Sequence, residues 1–416
     1  MNYFNDKIPK SVVELILTLQ DNGFEGWVVG GAIRTLLRGS TPHDWDITTN
    51  ATPDQVQKIF PHTIETGIAY GTVTVVMQDL QIQVTTYRKE SHYSDHRRPS
   101  QVSYCKSIDE DLSRRDFTIN AIAYNPVHQE FYDPFDGVED LKHEIIKAVG
   151  DASVRFQEDS LRILRALRFQ SQLGFYIHDE TLDAIKKASK LLPSLSRERV
   201  FDELSKWMVG DHFSMTRRTI NEIGFKNLFE IEPKDTLDKS WDLIGTISPS
   251  VPFRFSAFLE LYTGGLSLPI KLDNSLKLLH SLKCSQKIIS KVIQFIEFFN
   301  QQFSPDILNE RVALLKKALE IGFEDSVLLL QWKLHQDRLN PLYLKQKNLI
   351  ENLKMNGFES KVSPLAINGN QVMEILNLSP GPEIKTILEK LQNWVLEHPN
   401  QNQTQVLKEL LIQKQI

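Results

Sequence analysis

The stretch "GGAIRTLLRGSTPHDWDITTN", residues 30–50, decides how this chain is read. A glycine pair leads into a helix-like run, and two aspartates follow in a strand-like segment with a single tryptophan between them. In a strand, residues i and i+2 point to the same side. Asp44 and Asp46 therefore project together, with Trp45 and Ile47 turned to the opposite face, toward the core. Like charges that close repel, so the pair needs a reason. A divalent cation supplies one, since Mg²⁺ prefers oxygen ligands and takes one or two carboxylates together with substrate phosphates. A two-metal site holds its ions ~3.5–4 Å apart, where they activate a hydroxyl and steady a leaving phosphate. Taken alone, a D-x-D is more often a solvated strand end. The preceding "VVGGAIR" changes that balance. Gly30 and Gly31, placed before a helix, let backbone N–H groups approach a triphosphate, and Arg34 adds positive charge. The two elements together point to metal-assisted nucleotidyl transfer.

Composition sets the frame. The 416 residues are 41% hydrophobic and 24% charged, with a net charge of −5. That is a globular composition, long enough for several domains at ~150 residues each. A mildly acidic total does not exclude nucleic acid, because a local basic groove fits inside it. Cys105 and Cys284 form no spacing pattern, which suits a reducing compartment and argues against structural disulfides or a zinc site. The N-terminal "MNYFNDKIPKSVVELILTLQDNG" reads as an amphipathic helix, not a signal peptide. No uninterrupted apolar run reaches ~18 residues, so no membrane span is expected. The expected location is the cytoplasm.

The first ~140 residues mix the helical and strand periods. "EGWVVGG" is a short apolar run ending in glycines, and "GTVTVVMQDLQIQVTTYR" holds two β-rich runs with "QDL" as the turn. "FTINAIAYNP" is a strand-like or buried segment stopped by Pro126, and "EFYDPFDG" is a turn-rich exit. Beyond about residue 139 the signal is helical. "QEDSLRILRALRFQSQLGF" repeats apolar residues at three and four and stops near a glycine, and similar runs follow to the end. The fold class expected is α+β: a mixed β-sheet head with helices, followed by an all-helical remainder.

Seven segments in order, "VVGGAIRTLLRG", "HDWDITTNATPDQV", "TGIAYGTVTV", "VTTYRKESHYSDHRRPSQV", "DEDLSRRDFTINAIAYNP", "DPFDGVEDL" and "FQEDSLRILRALRF", carry a family resemblance. The chain resembles bacterial class II tRNA nucleotidyltransferases (CCA-adding enzymes) and the related bacterial poly(A) polymerases. "LPSLSRERVFDEL" continues the pattern, and "LAINGNQVMEIL" with "PGPEIK" looks like the tail of the shorter CCA-adding enzymes. The resemblance implies a nucleotidyltransferase head at 1–145, a helical neck at 146–210 that recognises the base, a helical body at 211–325 and a tRNA-binding tail at 326–416. It implies that Asp44 and Asp46 hold catalytic Mg²⁺, that Gly30 and Gly31 lie at the triphosphate, and that CTP, ATP and tRNA are the substrates. Two positions depart from the family pattern: Thr35 stands where many relatives carry Asp, and Gln83 where many carry Glu in the strand before the loop.

In "EDSLR", a helix would make Asp159 and Arg162 neighbours on one face. An ordinary surface ion pair is the plainer reading of D-x-x-R. The chemistry of the functional reading is specific. A carboxylate only accepts hydrogen bonds and a guanidinium only donates them. Asp159 would accept from the exocyclic amine that C and A carry, and Arg162 would donate to the ring nitrogen beside it. U and G place a carbonyl oxygen where the amine should be. The resemblance assigns this template role to Asp159 and Arg162. In "RRDFTIN", Arg114 and Arg115 suit phosphates, while Asp116 and Asn120 suit ribose hydroxyls. Arg162, Arg165 and Arg168 form a stripe that meets either nucleotide phosphates or surface acids.

Three other motifs draw blander readings. "RKESHYSDHRRP" reads as a loop in which His92, Asp95 and His96 are solvated rather than metal ligands. "SLSRERVFDEL" has a capping-box look, Ser196 lying three before Arg199, and reads as support for the neck. "SPGPEIK", with Lys385 and the later Lys390, reads as a plain helix start. Within the enzyme reading, full CCA addition, A-only addition, CC-only addition and poly(A) addition all stay open. A non-catalytic RNA-binding protein retaining the fold is the non-enzyme alternative. A phosphohydrolase would need a His-Asp cluster that the sequence does not space out.

Overall fold

The computed structural model describes residues 6–78, 80–91, 101–224, 227, 229, 237–247, 249–263, 265–300, 312–316, 318–319, 322–336, 341–355 and 365–413. The chain forms two compact units, Met1–Asp235 with Ser281–Lys283, and Thr236–His280 with Cys284–Ile416.

The first unit begins with α1 (Lys10–Asp21), whose Val12, Leu15, Ile16 and Leu19 recur at helical spacing and are all buried. They join a core with Val28, Ile33, Trp45, Ile47, Val73, Val75, Ile82 and Val84. Burying each such side chain contributes about 1.5–3 kcal/mol relative to leaving it in water. Val28, Trp45, Ile47, Val73, Val75, Ile82 and Val84 lie on the strands β1 (Trp27–Val29), β2 (Trp45–Thr49), β4 (Thr72–Met77) and β5 (Leu80–Thr86). With β3 (Thr63–Gly67), β8 (Ala123–Asn125) and β9 (Glu130–Tyr132) they make a seven-stranded sheet in the order β3-β4-β5-β2-β1-β8-β9. The helix α2 (Gly31–Leu37) crosses between β1 and β2, and α3 (Pro53–Ile59) follows β2 behind a Thr52–Gln55 capping box.

The period-2 alternation sorts side chains between the two faces. Val28 belongs to the core just described, and Val29 packs on the other face with Leu112, Ala121, Ala123 and Val149. Strand β2 is central. It pairs antiparallel with β1, Val29 opposite Asp46, and parallel with β5, Asp46 opposite Gln83. Trp45 and Ile47 are in the core as the alternation predicts, which leaves Asp46 on the second face. The two β-rich runs around "QDL" pair from Met77↔Leu80 onward, a two-residue hairpin. Strands β6 (Arg88–Ser91) and β7 (Gln101–Tyr104) form a separate antiparallel ribbon. His92, Asp95 and His96 lie outside the described residues.

Four local expectations need refining or correcting. "FTIN" takes the buried alternative and not the strand: Thr118–Asn120 is a buried single 3₁₀ turn ahead of β8. The helical stretch after the head contains a short parallel pair, β10 (Ile145–Ile146) with β11 (Tyr176–Ile177). "QEDSLRILRALRF" is not one helix either. It breaks between α6 (Ala152–Glu158) and α7 (Leu161–Leu173), where Asp159 is extended (φ −137°, ψ 100°). The Asp159 carboxylate accepts the Leu161 N–H at 3.0 Å, a local bond that competes with helix continuation. Then come α8 (Asp179–Ala188), α9 (Arg197–Met208) and α10 (Arg217–Ile223). Ser196 is the N-cap of α9 but its side chain makes no capping bond, so the expected capping box is absent there.

Among its described residues the second unit holds helices joined by turns and no strand. It holds α11 (Leu237–Thr246), α12 (Val251–Tyr262), α13 (Leu268–Ser281), α14 (Gln286–Asn300), α15 (Phe323–Gln336), α16 (Pro341–Met355), α17 (Gly369–Leu376), α18 (Pro382–Glu397) and α19 (Thr404–Ile412). Phe253 meets Phe295 edge-on, their centroids 5.5 Å apart. A buried polar triad crosses three helices: Lys271 Nζ donates to Glu260 Oε1 at 2.5 Å and to Asn300 Oδ1 at 3.0 Å. The last helices gather around Ile367, Val372, Ile384, Leu391, Val395, Leu407 and Leu411. The "SPGPEIK" start is a plain one: α18 opens with Pro382 in its first turn, and Lys385 and Lys390 are exposed. Among the described residues no helix is long and apolar enough to cross a membrane.

Candidate active site

The second face of the sheet, α2 and the helices α7 and α9 enclose a cavity of about 530 Å³ in the first unit. Gly30, Gly31, Arg34, Asp46, Arg114, Arg115, Asp116, Asn120, Asp159, Arg162, Arg165 and Arg168 all line it. Of the catalytic and nucleotide-binding residues expected from the sequence only Asp44 does not; it is exposed and lies just before β2. The lining also includes Arg88 and Arg199, so eight arginines face three aspartates there. A chain of net charge −5 thus concentrates positive charge in one cleft. Such a field suits a polyanion.

Gly30 caps α2 with φ 69° and ψ −129°, a conformation reserved for glycine. A Cβ there would lie 3.3 Å from Arg115 Nη1 and 4.0 Å from Asp46 Oδ2. Burial raises the Asp46 carboxyl above its ordinary range, Arg115 opposes that and Asp44 adds to it. Asp44 and Asp46 are hard oxygen donors, the class a divalent cation of the Mg²⁺ type takes in ones and twos. Among the described residues no three His, Cys, Asp or Glu side chains gather as a metal-holding group. The two carboxylates fit a cation whose remaining ligands come from substrate phosphate and water.

A chain of charge-assisted bonds runs behind them. Asp111, fully buried on α4 (Ile108–Ser113), binds Arg114 Nη2 at 2.8 Å and Arg115 Nη2 at 3.2 Å. It also accepts from Thr48 Oγ1 at 3.2 Å. Burial pushes its carboxyl upward, but Arg114 and Arg115 outweigh that and hold it below the usual range. Asp116 accepts from the Phe117 N–H (2.8 Å), Asn120 Nδ2 (2.9 Å) and Arg165 Nε (2.7 Å). Those donors overcome burial and keep Asp116 far below the ordinary carboxylate range. Asn120 Oδ1 in turn accepts from Arg34 Nη1. Burial lowers Arg34 to about 10, Asp116 opposes the shift, and Arg168 and Arg165 reinforce it. Glu203 on α9 meets Arg165 at 3.7 Å and Arg168 at 3.3 Å. The guanidiniums of Arg34, Arg165 and Arg168 lie 4.9, 5.4 and 4.4 Å from the centroid of the Phe169 ring.

The expected Asp159–Arg162 pair is built differently. The break before α7 takes Asp159 off the helix face, and its Oδ2 accepts from Arg199 Nη2 at 2.8 Å. Arg162 is held by Glu158 Oε2 (2.8 Å), the Arg155 carbonyl (3.1 Å) and the Arg114 carbonyl (2.8 Å). Both residues still face the cavity. Reading from sequence missed Asp111, Phe169, Arg199 and Glu203. Asp111 was findable, three and four residues before Arg114 and Arg115 on one helical turn. Arg199 was not, since 40 residues separate it from Asp159.

A Poly A polymerase head domain matches residues 26–147, an RNA- and SrmB-binding site of polymerase A matches 174–231, and a tRNA nucleotidyltransferase domain 2 matches 265–411. The CCA-adding enzyme of Staphylococcus aureus (strain MRSA252) is 35% identical over 396 residues, 94% of each chain. The chain belongs to the CCA-adding enzyme family. Its fold is accordingly similar to that of the solved CCA-adding enzyme of Bacillus stearothermophilus in complex with CTP, at a TM-score of 0.77 and 26% identity over 98% of this chain and 97% of that one. The CCA-adding enzyme of Thermotoga maritima complexed with tRNA shares the fold at a TM-score of 0.64 and 20% identity, over 97% and 94% of the chains. CCA-adding enzymes are nucleotidyltransferases, and the cavity described above lies within the head match and the helices that follow it.

Proposed function

We propose that this protein adds C, C and A to the 3′ end of tRNA from CTP and ATP, without a nucleic-acid template, releasing pyrophosphate. The observation that carries the reading is the convergence of eight arginines, Asp46 and the Gly30 turn on one cavity in a chain 35% identical to a CCA-adding enzyme. The relatives' CTP and tRNA complexes supply the substrate classes.

In this reading the arginines around Phe169, with Arg114 and Arg115, receive the triphosphate. Gly30 and Gly31 leave the backbone open to it, and a side chain at 30 would crowd Arg115. Asp44 and Asp46 hold Mg²⁺. When bound, the cation supplies Lewis-acid chemistry, easing ionisation of the attacking 3′-hydroxyl and offsetting charge on the leaving pyrophosphate. Asp116 and Asn120 hold Arg165 and Arg34 in place, and what acceptor capacity remains on them faces the ribose. Asp159 accepts from the exocyclic amine of C or A, and Arg162 donates beside it. A site built on such bonds rejects a base lacking the right partner by ~10⁴ or more.

The division into head (1–145), neck (146–210), body (211–325) and tail (326–416) is part of the proposal. The head match at residues 26–147 supports its first boundary. The tail grips tRNA, and binding weakens as salt rises. Cys105 and Cys284 are unbridged, which suits the cytoplasm.

The test uses three tRNA transcripts, ending before C, after CC, and complete, each incubated with Mg²⁺ and one nucleoside triphosphate at a time. Sequencing the products is expected to show CC on the first and A on the second. A-only, CC-only or repeated A addition would replace the proposal with that enzyme variant. No incorporation on any transcript would leave an RNA-binding protein.

A further inference from the structure

The base-reading carboxylate is gripped at both ends, and by different parts of the chain. Asp159 Oδ1 accepts the Leu161 N–H at 3.0 Å, and Oδ2 accepts Arg199 Nη2 at 2.8 Å. A carboxylate offers roughly four lone-pair positions, so each oxygen keeps one for a ligand while the two donors fix its plane. We infer that Arg199 is a specificity-determining positioning residue, holding the Asp159 carboxylate in the orientation that accepts the amine of C or A. The inference rests on the proposed role of Asp159 as base reader.

Arg162 does not do this holding. Its Nη1 donates to Glu158 and the Arg155 carbonyl and its Nη2 to the Arg114 carbonyl, none of them Asp159, and donors left on its five N–H groups serve the base. Arg199 reaches the same cavity from α9, and its side chain is 25% exposed against 18% for Asp159. A charge-assisted bond of this length is among the stronger ones available to a side chain. Without it the carboxylate keeps the Leu161 anchor and gains rotation about its last torsion. A rotated oxygen can meet the ring N–H that U carries at N3 and G carries at N1. The bases that should be refused then find an acceptor. Asp44 and Asp46, which serve the bond-making step, lie elsewhere, on or just before β2. Losing Arg199 therefore costs discrimination more than it costs transfer of C.

The experiment compares wild type, Arg199→Ala, Arg199→Lys, Asp159→Ala and the double variant Asp159→Ala/Arg199→Ala. The readout is the kcat/KM ratio of CTP to UTP on a transcript ending before C, and of ATP to GTP on one ending after CC. Expected for Arg199→Ala is a fall of about tenfold or more in both ratios. Lysine keeps a point charge but loses the planar fork, so Arg199→Lys should fall between. The double variant should discriminate no worse than Asp159→Ala alone. If Asp159→Ala relaxes both ratios and Arg199→Ala leaves them at the wild-type value, the inference is overturned and the base-reading role stands. If Asp159→Ala itself changes neither ratio, the base-reading role fails first. Should Arg199→Ala not fold, Arg199→Lys decides, because unchanged ratios there also overturn the inference.

Discussion

Asp46 on β2 and Gln83 on β5 stand opposite one another in parallel register, side chains on the same face of the sheet. Gln83 is exposed, one strand away from the carboxylate proposed to hold Mg²⁺. An amide oxygen can coordinate such a cation but does not offset its charge. Gln83→Glu should therefore tighten divalent-cation binding by about tenfold, the scale of one added charge nearby in a partly wet site. Calorimetric titration of Mn²⁺ into the protein without tRNA reads this directly, and the Mg²⁺ requirement of C addition should fall in parallel. Identical titrations of the two proteins would remove Gln83 from the metal's surroundings.

Gly30 carries a second prediction. Its φ of 69° with ψ −129° strains any side chain, and a Cβ would press on Arg115 at 3.3 Å. Gly30→Ala should cost about 1–3 kcal/mol of stability. It should also raise KM for both CTP and ATP, because the displaced guanidinium serves either triphosphate alike. A rise confined to one nucleotide would contradict that shared role.

How much was legible beforehand differs between fold and site. The alternation Trp45, Asp46, Ile47 reads directly off a period of two, and it placed Asp46 correctly on the face away from the core. The helix of Val12, Leu15, Ile16 and Leu19 reads as easily from its own period. The Asp159 break did not, because the apolar spacing runs through it while a single side-chain bond to Leu161 N–H redirects the backbone. That one bond also changed the partner of Asp159 from Arg162 to Arg199. Periodicity reports which face a residue takes. It carries no information on which distant helix supplies the opposite charge, so Glu203 and Arg199 became visible only once α7 and α9 were packed together.

Glu203 tests the arginine cluster. It is 4% exposed and lies against Arg165 and Arg168, two of the guanidiniums around Phe169. Removing one member of a buried ion pair costs about 3–5 kcal/mol because the remaining charge is left uncompensated. Glu203→Gln should lower the melting temperature accordingly. Bound triphosphate returns negative charge to the cluster, so saturating CTP should raise the melting temperature of the variant by more than it raises that of the wild type. Equal increments would mean that the triphosphate does not reach Arg165 and Arg168.

The last prediction concerns pH and the helical unit. Lys333 on α15 is 5% exposed, with its Nζ 5.9 Å from the Phe298 ring and 5.3 Å from the Tyr343 ring. Burial pushes its ammonium down to about 8, and Glu260 only partly opposes this. An unfolded lysine titrates near ~10.4. Below about pH 8 both states carry the proton, and the folded state bears the cost of a buried charge, about 2–4 kcal/mol. Between about pH 8 and 10.4 the unfolded chain holds the proton that the folded one has released. The unfolded state then binds more protons, so this group's contribution to stability rises with pH. Lys333→Met removes the charge while keeping a flexible apolar stem. It should stabilise the protein at pH 7, and the advantage should shrink as pH approaches 10. Urea unfolding of both proteins at pH 7, 8.5 and 10 measures it, other titrating groups cancelling in the difference. A difference that stays constant across the three pH values would show that Lys333 keeps an ordinary pKa in the folded protein.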